Sequence, residues 1–331
     1  MGEKLYDVAG IGNAIVDVIG RCSDDFLAEH GATKGAMRLI DTDTVLTLYR
    51  AMGPAVEISG GSAANTMVGI SSFGGKAAFI GKVADDELGR IFGHDIRSAG
   101  VTFETKPAAP GSEPTARSLI LVTPDGERTM NTFLGVSPEL DNSEVDEAVI
   151  GKAKVVYLEG YLFDRPAAKV AFRQAAKIAK DAGAKVALTL SDAFCVERHR
   201  AEFLDLIKAD IDILLANESE IKSLYKTQNF EDAVRNVKGH CDTVALTRSA
   251  KGSLILAGDR AATIAPEPVN RVMDSTGAGD LYAAGFLYGL THGRSLEDSG
   301  RLASIAAAEI ISHVGARPET SLTGLAKLKG L

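Results

Sequence analysis

Residues 274–290 read DSTGAGDLYAAGFLYGL, with the small residues Gly277, Ala278 and Gly279 directly before Asp280 and a largely apolar run after it. No Gly-Lys-Ser/Thr follows these glycines, which excludes a Walker loop. Tyr282 stands where a dinucleotide fingerprint needs its third glycine. What remains is a turn that lets a ligand approach the backbone, followed by a helix predicted to start near Ala278. The unpaired N–H groups and positive dipole end of such a start suit a phosphate, or charge developing on a transferring phosphoryl group. Asp280 in that first turn reads either as an acid favoured by the helix dipole or as a base that takes a proton from an attacking hydroxyl.

Four other stretches carry polar residues in unusual places. In ISGGSAANTMVGISSFGG (58–75), Gly60 and Gly61 precede a predicted helix, and Asn65 falls one turn into it. Asn65 suits sugar hydroxyls, because an amide both donates and accepts, or else it caps the helix start. In AGIGNAIVDVIG (9–20) a lone GxG is weak evidence, but Asn13 and Asp17 read as sharing one face of an alternating, otherwise apolar run. An acid in that setting is able to hold a diol with both oxygens. LLANESEIKSLY (214–225) ends a strand at Asn217 and opens a helix with Glu218 and Glu220. These are ordinary first-turn acids, or groups that orient water around Mg²⁺ at the carboxyl end of a parallel strand. LTRSAKGS (246–253), with Thr247 and Gly252, is by itself only a loop after a strand.

These stretches need a scaffold. The 331 residues are 45% hydrophobic and 24% charged, which suits one large α/β domain or two smaller ones. A net charge of −8 argues against nucleic acid or an anionic membrane as a partner, so an anionic ligand has to be held by local groups. Cys22, Cys195 and Cys241 are scattered and suggest neither a disulfide framework nor a zinc site. The start MGEKLYDVAG lacks the apolar core of a signal peptide, and no apolar run reaches membrane-spanning length, so cytoplasm is the expected setting. Short β-rich runs at 154–160, 185–190, 212–217 and 242–247 alternate with helical patterns such as Pro166 to Gly183. That alternation predicts a mostly parallel sheet covered on both faces. The N-terminal third differs, because ARSLILVTPDGERTMNTF (116–133) is two alternating runs joined by Asp125-Gly126, a hairpin signal. With 36–41 and the strand at 14–20 it forms either a lid over a site or an extension of the sheet edge.

Taken together, GGSAANTMVGISSFGGKAAFIGKVADDELG (60–89) and the 274–290 segment resemble the two signatures of the ribokinase-like (PfkB) family of small-molecule kinases. The resemblance runs over nearly the whole chain. Within the family it is strongest to the adenosine kinase branch, through GIGNAIVDV, FLAEHGATKGAMRLID (26–41), TLSDAFCVERHR (189–200) and GARPE (315–319). It implies a single three-layer α/β/α domain over 1–331, with a mostly parallel central sheet and a small β-sheet lid from segments near 13–20, 36–58 and 100–135. It implies Asp280 as catalytic base and the backbone of Gly277, Ala278 and Gly279 as anion hole. Asp17 and Asn65, with Gly60 and Gly61, would hold the ribose hydroxyls, with Asn13 nearby. Met37 would lie near the base, where the branch has a polar residue, and Tyr161 or Phe163 would stack on it. Ala64 stands where the branch carries Gln. Asn217, Thr247, Gly252 and Arg128 would meet ATP, Glu220 would reach Mg²⁺ through water, and Asp274 and Thr276 would hold a monovalent cation such as K⁺. The expected activity is ATP-dependent phosphorylation of a nucleoside in purine salvage, by a monomer or homodimer that acts on small molecules. A sugar kinase is the near alternative. A Rossmann oxidoreductase, for which GIGNAI lacks the third glycine, and a non-catalytic ligand sensor are the distant ones.

Overall fold

The structure, a computed structural model, describes residues 3–331. In chain order the first strands are β1 (Tyr6–Ile11), β2 (Ile15–Arg21), β3 (Met37–Leu39), β4 (Ala55–Gly60), β5 (Ala77–Ile80), β6 (Val101–Thr102) and β7 (Ala116–Val122). They continue with β8 (Arg128–Phe133), β9 (Ala153–Glu159), β10 (Lys185–Thr189), β11 (Ile213–Asn217), β12 (Thr243–Thr247), β13 (Ser253–Ala257) and β14 (Arg260–Ile264).

The large sheet has nine strands among the described residues, in the order β14-β13-β12-β11-β10-β9-β1-β5-β6. It is parallel from β12 through β6, and the β13–β14 hairpin adds an antiparallel edge. Parallel strands need helical crossovers, which cover both faces and make the strands apolar throughout. Strand β9 shows the consequence, since Val155 and Tyr157 join the core on one face and Val156 and Leu158 the core on the other. The helices Ser62–Ser72, Ala278–Thr291 and Leu296–Ile311 form one covering layer. Pro166–Asp181, Ala193–Asp210, Glu218–Leu224 and Phe230–Val237 form the other. The predicted α/β architecture, mostly parallel and three-layered, is the observed one.

The hairpin at 116–133 does not extend the large sheet. It lies in a second sheet of five strands, in the order β3-β8-β7-β2-β4. Gly126 at φ +87° permits its turn. Val16 and Val18 of β2 point to a buried face shared with Leu27, Val45 and Leu48. The alternate residues Ile15, Asp17 and Ile19 point to the other, half-open face. The chain passes between the two sheets after β1, after β4, before β7 and after β8. Among the described residues no helix is long and apolar enough to cross a membrane.

Candidate active site

The helix Ala278–Thr291 is apolar almost all round because it is wedged between two other helices. Glycines set how closely they approach. A Cβ at Gly285 would lie 2.6 Å from the backbone of Ala303, and one at Gly69 would lie 2.6 Å from the Ala284 side chain. The helix Ser62–Ser72 therefore packs tightly on Ala278–Thr291, and their first turns meet. There Ser62 Oγ donates to Asp280 Oδ1 at 2.6 Å and Asn65 Nδ2 donates to Asp280 Oδ2 at 3.0 Å.

Asp280 lies in the first turn of its helix, where the dipole favours an acid. The cap is Gly277 in the left-handed region, φ +78°, with no side-chain cap, so the carboxylate oxygens are not taken up by their own helix. The carboxylate faces the partner helix instead, half-buried, and burial raises its pKa against the pull of Ser62 and Asn65. Asn65 is not a cap either, because Gly61 holds that position. The Asn65 amide oxygen is buried with no hydrogen-bond partner, an acceptor left open beside the Asp280 carboxylate. The N–H groups of Gly279 and Asp280 have no acceptor among the described residues, and a Cβ at Gly279 would meet nothing within 4 Å.

On one side of Asp280 a cleft of about 510 Å³ opens over the carboxyl ends of β10–β12. Gly277, Ala278, Gly279 and Asp280 line one end, Asn217, Thr247 and Gly252 its length, and Pro266, Ala308 and Ile311 an apolar far wall. The sequence reading had no signal for that wall, which comes from a distant helix and loop. Asn217 and Glu220 form a complete capping box. Glu220 accepts from the Asn217 backbone N–H at 2.9 Å and from its side-chain amide, and it returns its own N–H to Asn217. Glu220 is 4% exposed, and burial pushes its pKa up to about 7.

The open face of the small sheet brings Asp17 near Asp280. Asp17, Ile58, Ser118, Thr132 and Leu39 are in register across it, with Ile19, Val56, Ile120, Met130 and Met37 in the next row. Asp17 is the one ionisable group in these two rows. Burial pushes its pKa up to about 6, opposed by Arg317 and Arg128 and reinforced by Asp280. Gly60 makes room for it, since a Cβ there would lie 2.5 Å from Asp17 Oδ2. Met37 and Leu39 are 53% and 62% exposed. Of the two aromatics, Phe163 is buried and stacked on Phe203 at 4.3 Å, while Tyr161 is partly exposed and held to Ser191 by its N–H and its hydroxyl.

Arg128, Asp274 and Thr276 come together at the mouth of the 277–280 turn. Arg128 forms a buried ion pair with Asp274, whose carboxylate also accepts the N–H groups of Thr276 at 3.0 Å and Gly315 at 3.1 Å. Asn13 does not share a strand face with Asp17. It precedes β2, 4% exposed, with its amide donating to Glu159 Oε1 at 2.7 Å and accepting from Ser137 Oγ at 3.0 Å. The alternation that begins at Ile15 was extended too far back.

Three polar residues of the site escaped the sequence reading. Ser62 sits inside a quoted motif without being singled out. Arg317, whose pKa burial lowers to about 10, brackets the glycine pair by donating to the carbonyls of Ser59 and Ala64. Glu159, 1% exposed and pushed up to about 7 by burial, ends the apolar strand β9. An acid closing such a strand is the signal that was there to be read.

Residues 52–322 match the pfkB family carbohydrate kinase profile. The chain belongs to the PfkB family. It is similar to a "probable sugar kinase" from Rhizobium etli CFN 42, at 50% identity, 99% coverage of both chains and a TM-score of 0.91. It is equally similar to the adenosine kinase from Sinorhizobium meliloti, at 52% identity, 98% and 99% coverage and a TM-score of 0.90. An uncharacterized sugar kinase of Archaeoglobus fulgidus is 31% identical over 76% of this chain and 97% of its own. As a PfkB kinase the protein is a phosphotransferase with an alcohol acceptor and ATP as co-substrate.

Proposed function

We propose that this PfkB kinase transfers the γ-phosphoryl group of ATP to the 5′-hydroxyl of adenosine, giving ADP, AMP and a proton. The observation that carries the reading is the buried, unpartnered Asn65 oxygen on the residue whose amide bonds Asp280, which itself lines the cleft. A ligand hydroxyl is the neutral donor that satisfies such an acceptor without displacing the carboxylate. Asp17 accepts the two ribose hydroxyls, with Gly60 and Gly61 allowing the sugar to approach, and directs the 5′-hydroxyl to Asp280. Asn13, turned inward, supports that segment.

Asp280 takes the proton late, as a loose transition state allows, while the free N–H groups of the turn meet the charge on the migrating phosphoryl oxygens. ATP lies along the cleft past Asn217, Thr247 and Gly252, with its base toward Ala308 and Ile311. Arg128, paired with Asp274, keeps an unpartnered Nε–H donor for phosphate oxygens at the mouth of the turn. Magnesium fits here only with its water shell, because both Glu220 oxygens take Asn217 donors and the residue is buried. When bound with ATP, the ion neutralises phosphate charge. Asp274 already meets a guanidinium and two N–H groups, and no proposed step runs through a monovalent cation.

The choice of adenosine rests on the apolar rows around Asp17. A free sugar offers hydroxyls in every direction and leaves Met37 and Leu39 uncovered, whereas a purine covers them and stacks near Tyr161. The identity with the S. meliloti enzyme supports this reading. A sugar acceptor is the second reading, supported by the similarity to sugar kinases. Turnover on adenosine, inosine, guanosine and ribose decides between them: a kcat/KM for adenosine at least about 100-fold above ribose is expected for a site that reads the base. A preference for ribose overturns the nucleoside reading.

A further inference from the structure

The small sheet is tied to the large one at four chain passages, and a single buried carboxylate reaches three of them. Glu159 stands at the tip of β9, in the middle of the large sheet. Its Oε1 accepts the backbone N–H of Asn13 at 3.2 Å and the Asn13 side-chain amide at 2.7 Å, on the passage from β1 to β2. Its Oε2 accepts the N–H of Ala63 at 2.8 Å, on the passage leaving β4. The third link runs through Asn13, whose amide oxygen accepts from Ser137 Oγ, and Ser137 follows β8 and also accepts the Ala14 N–H at 2.9 Å.

We propose that Glu159 is a positioning residue: it fixes the small sheet against the body and thereby sets Asp17 relative to Asp280. The inference rests on the acceptor site proposed above. Asp17 lies four residues beyond Asn13, and Ser62, which holds Asp280, adjoins Ala63. One side chain therefore connects the segment carrying the acceptor's anchor with the segment carrying the base's hydrogen bond.

Two features set this carboxylate apart from an ordinary buried acid. Its hydrogen-bond partners are all N–H donors and none is a cation, so neither an amide nor a hydroxyl reproduces it. A Gln at 159 satisfies Asn13 with its oxygen and then presents N–H to the N–H of Ala63. The glycines at these passages also follow from the crowding. A Cβ at Gly12 would lie 2.3 Å from Glu159 Oε2, and one at Gly61, where φ is +100°, would lie 2.1 Å from the Asn13 carbonyl oxygen.

The test compares wild type with Glu159→Gln and with Ser137→Ala, which breaks the third link and leaves the buried charge alone. Amide hydrogen exchange is measured first, without any ligand. In Glu159→Gln the amides of 12–15, 60–65 and 134–137 should exchange about tenfold faster or more together, while those of 185–189 and 243–247 do not change. Ser137→Ala should act in the same direction, by about threefold and mainly at 134–137. Steady-state kinetics should show kcat/KM for the acceptor lowered about 10- to 100-fold in Glu159→Gln, with the ATP dissociation constant unchanged by calorimetry. Unchanged exchange at these passages, or equal acceleration throughout the large sheet, would overturn the proposal, because Glu159 would then only fill the core. Should Glu159→Gln not fold, Ser137→Ala decides by the same exchange pattern. The exchange arm needs no substrate, so it stands even if the wild type phosphorylates none of the acceptors tried.

Discussion

The two sides of Asp280 are built from different materials. At the end next to Asp280 the cleft side is made of backbone: the free N–H groups of a helix start and the open space at Gly279. The small-sheet side carries side chains from separate segments, Asp17 and Met37, near Asn65, and Glu159 and Arg317 bond the backbone of the segment 59–64 that passes between them. In the proposed reaction the backbone donors meet the phosphoryl group, which ATP brings whatever the acceptor, and the side chains meet the acceptor. On that proposal a family sharing one transfer reaction varies its acceptor by changing the small sheet.

The sharpest challenge to this division is Asp280→Asn. It should lower kcat by about 10²- to 10⁴-fold while ATP binds as before, since the turn's N–H groups remain. Near-wild-type turnover would remove the base and with it the boundary between the two sides. Asp17→Ala comes next: kcat/KM for the acceptor should fall about 10²- to 10³-fold, with the ATP dissociation constant unmoved in calorimetry. An equal loss of ATP affinity would place Asp17 on the donor side.

Ser62→Ala is expected to act through acidity. The Ser62 hydrogen bond stabilises the ionised form of Asp280 and lowers a pKa that burial has raised. Without it the pKa rises further, and the base is active only above that pKa. The acid limb of the kcat/KM profile should therefore move to higher pH, with the alkaline side unaltered. A downward move would reverse the assigned hydrogen bond. Met37→Asn should have the smallest effect, raising KM for adenosine several-fold through lost apolar cover and leaving ribose unchanged. An equal effect on both would mean that Met37 does not meet the base.

The fold was largely legible because its signals are local. Strand runs read at 154–160, 185–190, 212–217 and 242–247 appear as Ala153–Glu159, Lys185–Thr189, Ile213–Asn217 and Thr243–Thr247. A buried parallel strand must be apolar and short, and the helix after it must have an amphipathic period, so both leave marks in the residues themselves. The hairpin was legible for the same reason, but its separation from the large sheet was not, because strand pairing between segments a hundred residues apart leaves no local mark. Asn13 shows the opposite error. Its spacing from Asp17 suits a strand face, yet the chain is turning between sheets there, and Glu159, which binds it, lies 146 residues away.

By itself the sequence determined where a glycine turn opens a helix, which acid stands in that first turn, and that strands and helices alternate. Each of these follows from steric and periodic rules acting within a few residues. Tertiary structure alone decided that Asp280 meets Ser62 and Asn65, that Asp17 looks across an apolar face, and that Glu159 joins the passages between the sheets. Those outcomes depend on how closely helices pack over glycine and on which distant donors a buried carboxylate meets, and such distances are set only when the whole chain has closed around its core.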